Sequence, residues 1–369
     1  MVGGAISARG AGVAASIEGF SNALEDIGHC VRVFALEDGS KELEPEPWRG
    51  APATQFEVRG LRAFGFAPKM LPALLAWQAD VVHLHGLWMY PSRVVWEWAR
   101  RTRRPYLISP HGMLAPTALS FSKQKKRLAR ILYQDKCFRD ASALHATSEA
   151  EANDIKLIGL DQPIDIIPLG IHLRARPHVD GRSKTILSLG RLHPVKGLDL
   201  LISAWAQLEP HFSDWHLKIV GPGEDNYLKY LQFLIAQHGL QRCHILPPLY
   251  GDEKYRCLSE AGLFVLPSHS ENFGLTVLES LLMETPVIAS QGTPWRLLSE
   301  QHCGDWVPLE VNSLAEAMAR LLNMTNSDRE AMGARGRDLV LKSFSWSAVA
   351  RAAEASYQRI LADTRESQL

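Results

Sequence analysis

Short apolar runs alternate with helical patterns along the whole of this 369-residue chain, and no other feature constrains the fold as much. Residues 31–35, 56–58, 80–88 (running into a loop), 106–109 and 144–148 read as strands in the first half; 185–190, 216–220, 263–266 and 286–289 do so in the second. Helical stretches lie between them, most clearly where Leu198, Leu201, Ile202, Trp205 and Leu208 recur at a 3.6-residue period. Strands separated by helices pair in parallel, with helices on both faces of the sheet. The chain is long for one core, so the pattern predicts an α/β fold of two doubly wound parallel-sheet domains facing a cleft. Residues 171–184, polar and arginine-containing, read as the linker between a domain at 1–170 and another at 185–345.

The chain opens Met1-Val2-Gly3-Gly4-Ala5-Ile6 and passes Gly10 and Gly12 into a helical pattern through Ile17, Phe20, Leu24 and Ile27. A glycine-rich turn entering a helix suits a phosphate, because glycine lets the backbone approach the ligand and the helix start offers free N–H groups. A strand should precede such a turn, and residues 1–6 are short and glycine-rich for one. The first strand is therefore expected to be missing, with the natural start upstream or the chain truncated, which would leave neighbouring backbone groups unpaired.

Charge and cysteine content narrow the function classes. Lys+Arg and Asp+Glu are both 40, which argues against a dedicated nucleic-acid binder. Cys30, Cys137, Cys243, Cys257 and Cys303 are scattered, with no CxxC and no zinc-type cluster, so a reduced, cytoplasmic compartment is expected. No apolar run is long enough to span a bilayer, and the first residues lack a secretory pattern. Residues 92–139 carry twelve basic side chains against Glu97 and Asp135, a net of +10, with Trp96, Trp98, Phe121, Leu128, Ile131, Leu132 and Tyr133 interleaved. That one-sided charge reads either as a solvated helix face or as a surface for an anionic membrane, and the imbalance favours the membrane.

Several side chains fall just past strand ends, where open α/β sheets bind ligands. His83 and His85 share one strand face; they could hold a metal, but no third ligand is evident, and ordinary loop and cleft residues fit better. His111 follows the strand at 106–109. Arg191 and Lys196 sit in a loop flanked by Gly190 and Gly197 at a helix start, a place suited to a diphosphate. Glu271 and Glu279 bracket the loop Asn272-Phe273-Gly274-Leu275, which leaves the strand at 263–266 and enters another helix.

These pieces, in this order, resemble a known family. Gly10-Ala11-Gly12 with Gly28-His29, then His111-Gly112, Arg191 with Lys196-Gly197, and Glu271 to Glu279 spaced E-x7-E are similar to the retaining GT-B glycosyltransferases of family four. Residues 109–114 and 292–295 resemble bacterial members that build exopolysaccharide, lipopolysaccharide or related glycans. The resemblance implies two Rossmann-like domains, with a final helix at 346–363 returning to the first. It implies transfer of a hexose-type sugar from a nucleotide-sugar donor to a hydroxyl of a glycan or lipid-linked glycan, with retention and without a metal or other cofactor. The enzyme would be cytoplasmic, peripheral at the inner face of the plasma membrane, and would not bind nucleic acid.

By the same resemblance His111, Arg191, Lys196 and Glu271 are catalytic. Gly12, Asn272, Phe273, Gly274, Leu275 and Glu279 bind the donor, with Glu271 on sugar hydroxyls and Glu279 on the ribose. A catalytically silent nucleotide-sugar-binding protein and an epimerase are the alternatives. Asn272 and Glu284 stand where relatives have glycine; asparagine also accepts left-handed geometry, whereas at Glu284 a left-handed turn would cost about 1 kcal/mol.

Overall fold

A computed structural model describes residues 1–6, 11–37, 48–179 and 181–366. It divides into two compact units, Met1–His172 with Trp346–Leu369, and Leu173–Ser345.

The first unit holds a parallel sheet of seven strands: β1 (Val2–Gly3), β2 (Val33–Leu36), β3 (Ala53–Phe56), β4 (Val82–His85), β5 (Tyr106–Ser109), β6 (Ala143–Ala146) and β7 (Ile164–Ile166). Their order is β3-β2-β1-β4-β5-β6-β7, so chain direction across the sheet reverses between β1 and β4. Strands β2, β4, β5 and β6 are buried at every position, which explains why they read as continuous apolar runs.

The expectation of a missing first strand is corrected here. β1 occupies the central place, with Val2 opposite both Phe34 and Leu84, and Gly3 opposite His85. Two residues suffice because flanking groups extend the ladder: Phe34 N–H donates to the Met1 carbonyl and Leu36 N–H to that of Gly4. Gly3 is needed because a Cβ there would lie 2.9 Å from Ile17 Cδ1 on the helix Ala11–Asp26. The helix Trp346–Glu366 packs on Ala11–Asp26 in the same unit, where the Trp346 ring fills the space that a Cβ on Gly19 would occupy. Phe20, Ala23 and Leu24 meet Val349, Ala350 and Ala353 in that contact.

The second unit holds six parallel strands: β8 (Ser183–Leu189), β9 (His216–Val220), β10 (Cys243–Leu246), β11 (Ala261–Leu266), β12 (Val287–Ser290) and β13 (Gly304–Val307). Their order is β10-β9-β8-β11-β12-β13, reversing between β8 and β11. The edge strands β10 and β13 are only partly buried and carry His244 and Asp305, so neither shows an apolar run in the sequence. Arg176 and Arg182, which precede β8, are anchored on this unit. The Arg182 guanidinium donates to the carbonyls of Ala261, Met283 and Glu284 and to Thr285 Oγ1, and Arg176 pairs with Glu284 at 2.9 Å.

Glu284 does adopt the left-handed conformation, φ 62°. Its carbonyl is held by Arg182 and its carboxylate by Arg176, and the helix Asn326–Ser343 crosses so closely that a Cβ on Gly333 would lie 1.6 Å from that carbonyl. Gly333→Ala is therefore expected to destabilise the protein by about 2 kcal/mol. Gly12→Ala, with nothing within 4 Å of the new carbon, should leave stability unchanged or slightly raised. Denaturant titration of both variants checks this, and an unchanged midpoint for Gly333→Ala would contradict the packing described.

Candidate functional site

In a doubly wound sheet the loops at the carboxyl ends of the two strands flanking the reversal point diverge and leave room for a ligand. In the second unit those loops follow β8 and β11. After β8 the chain turns at Gly190, and Leu192 N–H donates to the Pro222 carbonyl in the loop after β9. His193 Nδ1 then accepts from Val195 N–H, capping the short 3-10 turn Pro194–Lys196. Gly197 follows in left-handed geometry, φ 59°, and a Cβ there would lie 2.2 Å from the Pro267 carbonyl. That close approach brings the end of β8's loop onto the end of β11, and His269 N–H donates to the Val195 carbonyl across the same seam.

The seam places Lys196 against Glu271. The Lys196 ammonium pairs with Glu271 Oε1, which also accepts from Ser268 Oγ at 2.9 Å. Both side chains are largely buried. Arg191 lies on the same loop, exposed, with no hydrogen bond or ion pair among the described residues. Beyond Glu271 the chain enters the helix Leu275–Leu282 through Gly274 at φ 82°; Asn272, by contrast, keeps a negative φ and needs no left-handed tolerance. Phe273 is buried against Trp295 and Phe344, and its carbonyl accepts from Trp295 Nε1 at 2.5 Å. This aromatic packing fixes the turn from behind.

Glu279 lies in the second turn of that helix. Its Oε1 accepts from Lys254 Nζ at 2.6 Å, and Tyr255 OH lies 3.4 Å away, both from the helix Gly251–Glu260. The two acids of the E-x7-E spacing thus each hold one cation from another element. Sequence reasoning missed Lys254, Tyr255 and Ser268. Only Ser268, three residues before Glu271, stood close enough in the chain to be noticed.

In the first unit the corresponding loops follow β1 and β4. Gly12 is exposed in the first turn of Ala11–Asp26, while Gly10 lies outside the described residues. His83 and His85 do share a face of β4, their rings stacked 4.2 Å apart. His111, just past β5, takes φ 52° and precedes Gly112 at φ 74°, a strained pair for which the side chain of Glu151 supplies an anchor. Buried Glu151 accepts from Gly112 N–H at 2.6 Å and from both N–H and Oγ1 of Thr147 at 2.7 Å. Trp88, after β4, is also left-handed at φ 70°; Gln134 and Tyr133 on the π-helical turn Arg130–Gln134 hold its backbone N–H and carbonyl.

A directed chain of hydrogen bonds runs beneath His111. His145 Nε2 lies 2.7 Å from the Ile167 carbonyl and must therefore donate. Its Nδ1 then accepts from Ser109 Oγ at 2.7 Å, Ser109 accepts from His83 Nε2 at 2.6 Å, and His83 Nδ1 accepts from Tyr357 OH at 2.7 Å. One direction satisfies every member with both histidines neutral. Beside it His85 Nδ1 meets His111 Nε2 at 3.0 Å. Among the described residues no group of three or more metal-ligating side chains is disposed to hold an ion.

Burial holds His83 and His85 well below the ordinary histidine range, lowers His145, and pushes His111 down to about 3; neighbouring histidines add to the lowering at His83, His85 and His111. The unfolded chain titrates these groups near 6.5, so below that pH it binds protons that the folded network refuses. Stability is expected to be level above pH 6.5 and to fall as pH drops towards 3, by up to about 1.4 kcal/mol per pH unit for each histidine. Thermal midpoints measured from pH 7.5 to 5 check the sign, and a flat profile would rule out a neutral cluster.

Two families match successive parts of the chain: residues 11–170 match the Glycosyl transferase 4-like domain and residues 172–339 the Glycosyl transferases group 1. The D-inositol 3-phosphate glycosyltransferase of Segniliparus rotundus is 25% identical over 94% of this chain and 84% of its own length. That of Frankia alni is 29% identical over 76% and 74%. Sucrose-phosphate synthase from Thermosynechococcus elongatus superposes with a TM-score of 0.75 at 20% identity, covering 98% of this chain and 99% of its own. HepE of Anabaena, solved in complex with UDP-glucose, does so with a TM-score of 0.74 at 19% identity, covering 97% and 99%. The fold is thus GT-B, and the chain belongs to the glycosyltransferases, joining a glycosyl transferase 4-like domain to a domain of group 1.

Proposed function

We propose that this glycosyltransferase is a retaining hexosyltransferase, taking a hexose from a nucleoside-diphosphate-sugar and delivering it to a hydroxyl of a lipid-linked glycan in cell-surface polysaccharide synthesis. The observation that carries the reading is the seam between the loops after β8 and β11, where Arg191 and the Lys196–Glu271 pair gather at the reversal point of the second sheet. HepE's complex with UDP-glucose supports a nucleotide-sugar donor.

Departure of the sugar breaks the bond from its anomeric carbon to the diphosphate oxygen, and negative charge grows on that phosphate. Arg191 and Lys196 stabilise it, together with N–H groups at Gly274 and Leu275. The acceptor oxygen bonds to the same face of the carbon, and the leaving phosphate takes its proton. Glu271, already engaged by Lys196 and Ser268, serves to orient sugar hydroxyls rather than as a free base. Glu279 takes the ribose hydroxyls while Lys254 holds its carboxylate in place, Asn272 and Phe273 shape the turn, Gly12 admits the phosphates, and His111 hydrogen-bonds the sugar. The chemistry needs neither a metal nor another cofactor, because fixed cations carry the compensating charge.

The names of the sequence relatives favour a second acceptor class, an inositol phosphate. A panel of nucleotide-sugars against glycan and inositol-phosphate acceptors, read by mass spectrometry and anomeric NMR, decides between them. Absence of any transferred sugar would leave the silent-binder and epimerase readings instead. For Glu271→Ala we expect about a 100-fold loss of transfer with nucleotide affinity kept or improved, since Lys196 is released; equal loss of both would contradict Glu271's role.

The basic stretch 92–139 divides in two. Arg104 donates to the carbonyls of Gln78 and Ala79, while Arg100 and Lys136 lie over the Trp96 ring. Around the helix Lys123–Ala129, however, Phe121, Leu128, Ile131 and Leu132 are exposed beside exposed Lys123, Lys125 and Arg127. No helix among the described residues is long and apolar enough to cross a membrane. This surface supports peripheral binding to the cytoplasmic leaflet. Co-sedimentation with phosphatidylglycerol vesicles should exceed that with phosphatidylcholine and weaken in about 0.5 M salt, where the screening length is roughly half its value at 0.15 M. Lipid- or salt-independent sedimentation would contradict it.

A further inference from the structure

We propose that His85 is a positioning residue that fixes the tautomer of His111, so that His111 offers Nδ1–H as its one hydrogen-bond donor. In the His85–His111 contact, Nδ1 to Nε2 at 3.0 Å, one ring must donate and the other accept. His85 is buried, and its Nε2 has no partner among the described residues. A buried N–H without a partner is rarer in folded proteins than an acceptor with an unused lone pair. The proton of His85 therefore belongs on Nδ1, where it donates to His111 Nε2. That nitrogen of His111 is then an acceptor, and its ring proton lies on Nδ1, which makes no hydrogen bond among the described residues.

The surroundings keep His85 in this role. Its ring stacks on His83 at 4.2 Å and lies edge to edge with that of His111, their planes 19° apart and their centroids 5.2 Å apart, with Phe20 edge-on at 6.3 Å. His83 cannot turn, because Tyr357 and Ser109 hold both of its nitrogens in the directed chain. Gly112 N–H, fixed by Glu151, sets the backbone from which His111 projects. A neutral ring with a single donor suits a hydroxyl oxygen of the transferring sugar. It adds no positive charge beside an anomeric carbon that becomes cationic.

The kinetic part of this inference rests on the glycosyl-transfer reading, whereas the tautomer does not. Long-range 1H–15N spectra of histidine-labelled protein at pH 7, with the His111 signal assigned by its loss in His111→Gln, should show a neutral ring protonated at Nδ1. A ring protonated at Nε2, or an imidazolium, overturns the proposal. His85→Leu should mix the tautomers of His111 and lower kcat about tenfold while the nucleotide Kd stays within twofold, and His85→Asn, whose amide replaces the Nδ1 donor, should recover most of the loss. Unchanged kcat in His85→Leu overturns it as well. If His85→Leu does not fold, the wild-type spectrum still decides. If the wild-type chain transfers no sugar, the transfer reading fails while the spectrum judges His85 separately.

Discussion

The contact on which the candidate site depends is the close approach of Gly197 to the Pro267 carbonyl. Only glycine permits it, and only because of it do Lys196 and Glu271, 75 residues apart in the chain, form one ion pair. A lysine and a glutamate paired with little exposure cost desolvation that their attraction barely returns. Such a pair is weak as a stabilising device and apt as a poised one. On the proposed reading an arriving diphosphate would give Lys196 a second anion, while Ser268 keeps Glu271 oriented. Glu279 and Lys254 repeat the arrangement one helix away.

Left-handed backbone at non-glycine positions is a second such constraint. His111, Trp88 and Glu284 are left-handed although none is glycine, and each has partners that hold its backbone or side chain. Glu284 is tied by arginines and precedes the amino end of β12, a structural case. His111 and Trp88 follow β5 and β4 at their carboxyl ends, where the topology leaves space for a ligand. There the conformational cost aims a side chain.

Much of this was legible in the sequence, and what was not has identifiable causes. The parallel sheets were readable because strands buried on both faces appear as apolar runs, and the loops around Lys196 and Glu271 because glycine and charge cluster locally. β1 was not, since its two residues form a strand only when β2 and β4 are already beside it. β10 and β13, half-exposed edges, left no apolar signature. Lys254, Glu151 and His145 sit in ordinary helical or strand patterns, and nothing along the chain announces that they reach Glu279, Gly112 and Ser109. Such pairings are properties of the packing. The left-handed turn at Glu284 was legible through its resemblance to positions held by glycine, whereas the tolerance assigned to Asn272 proved unnecessary because Gly274 makes that turn.

The central claim is that the seam of β8 and β11 reads the diphosphate of a donor. Its most direct test is the affinity difference between nucleoside diphosphate and monophosphate, measured by titration calorimetry for uridine, guanosine and adenosine in the wild type and in Lys196→Met. For the base that binds, the account predicts that the diphosphate binds at least about tenfold more tightly, a difference of about 1.4 kcal/mol, and that Lys196→Met removes most of that gap. Equal affinity for the two nucleotides, or a gap that survives in Lys196→Met, would contradict it.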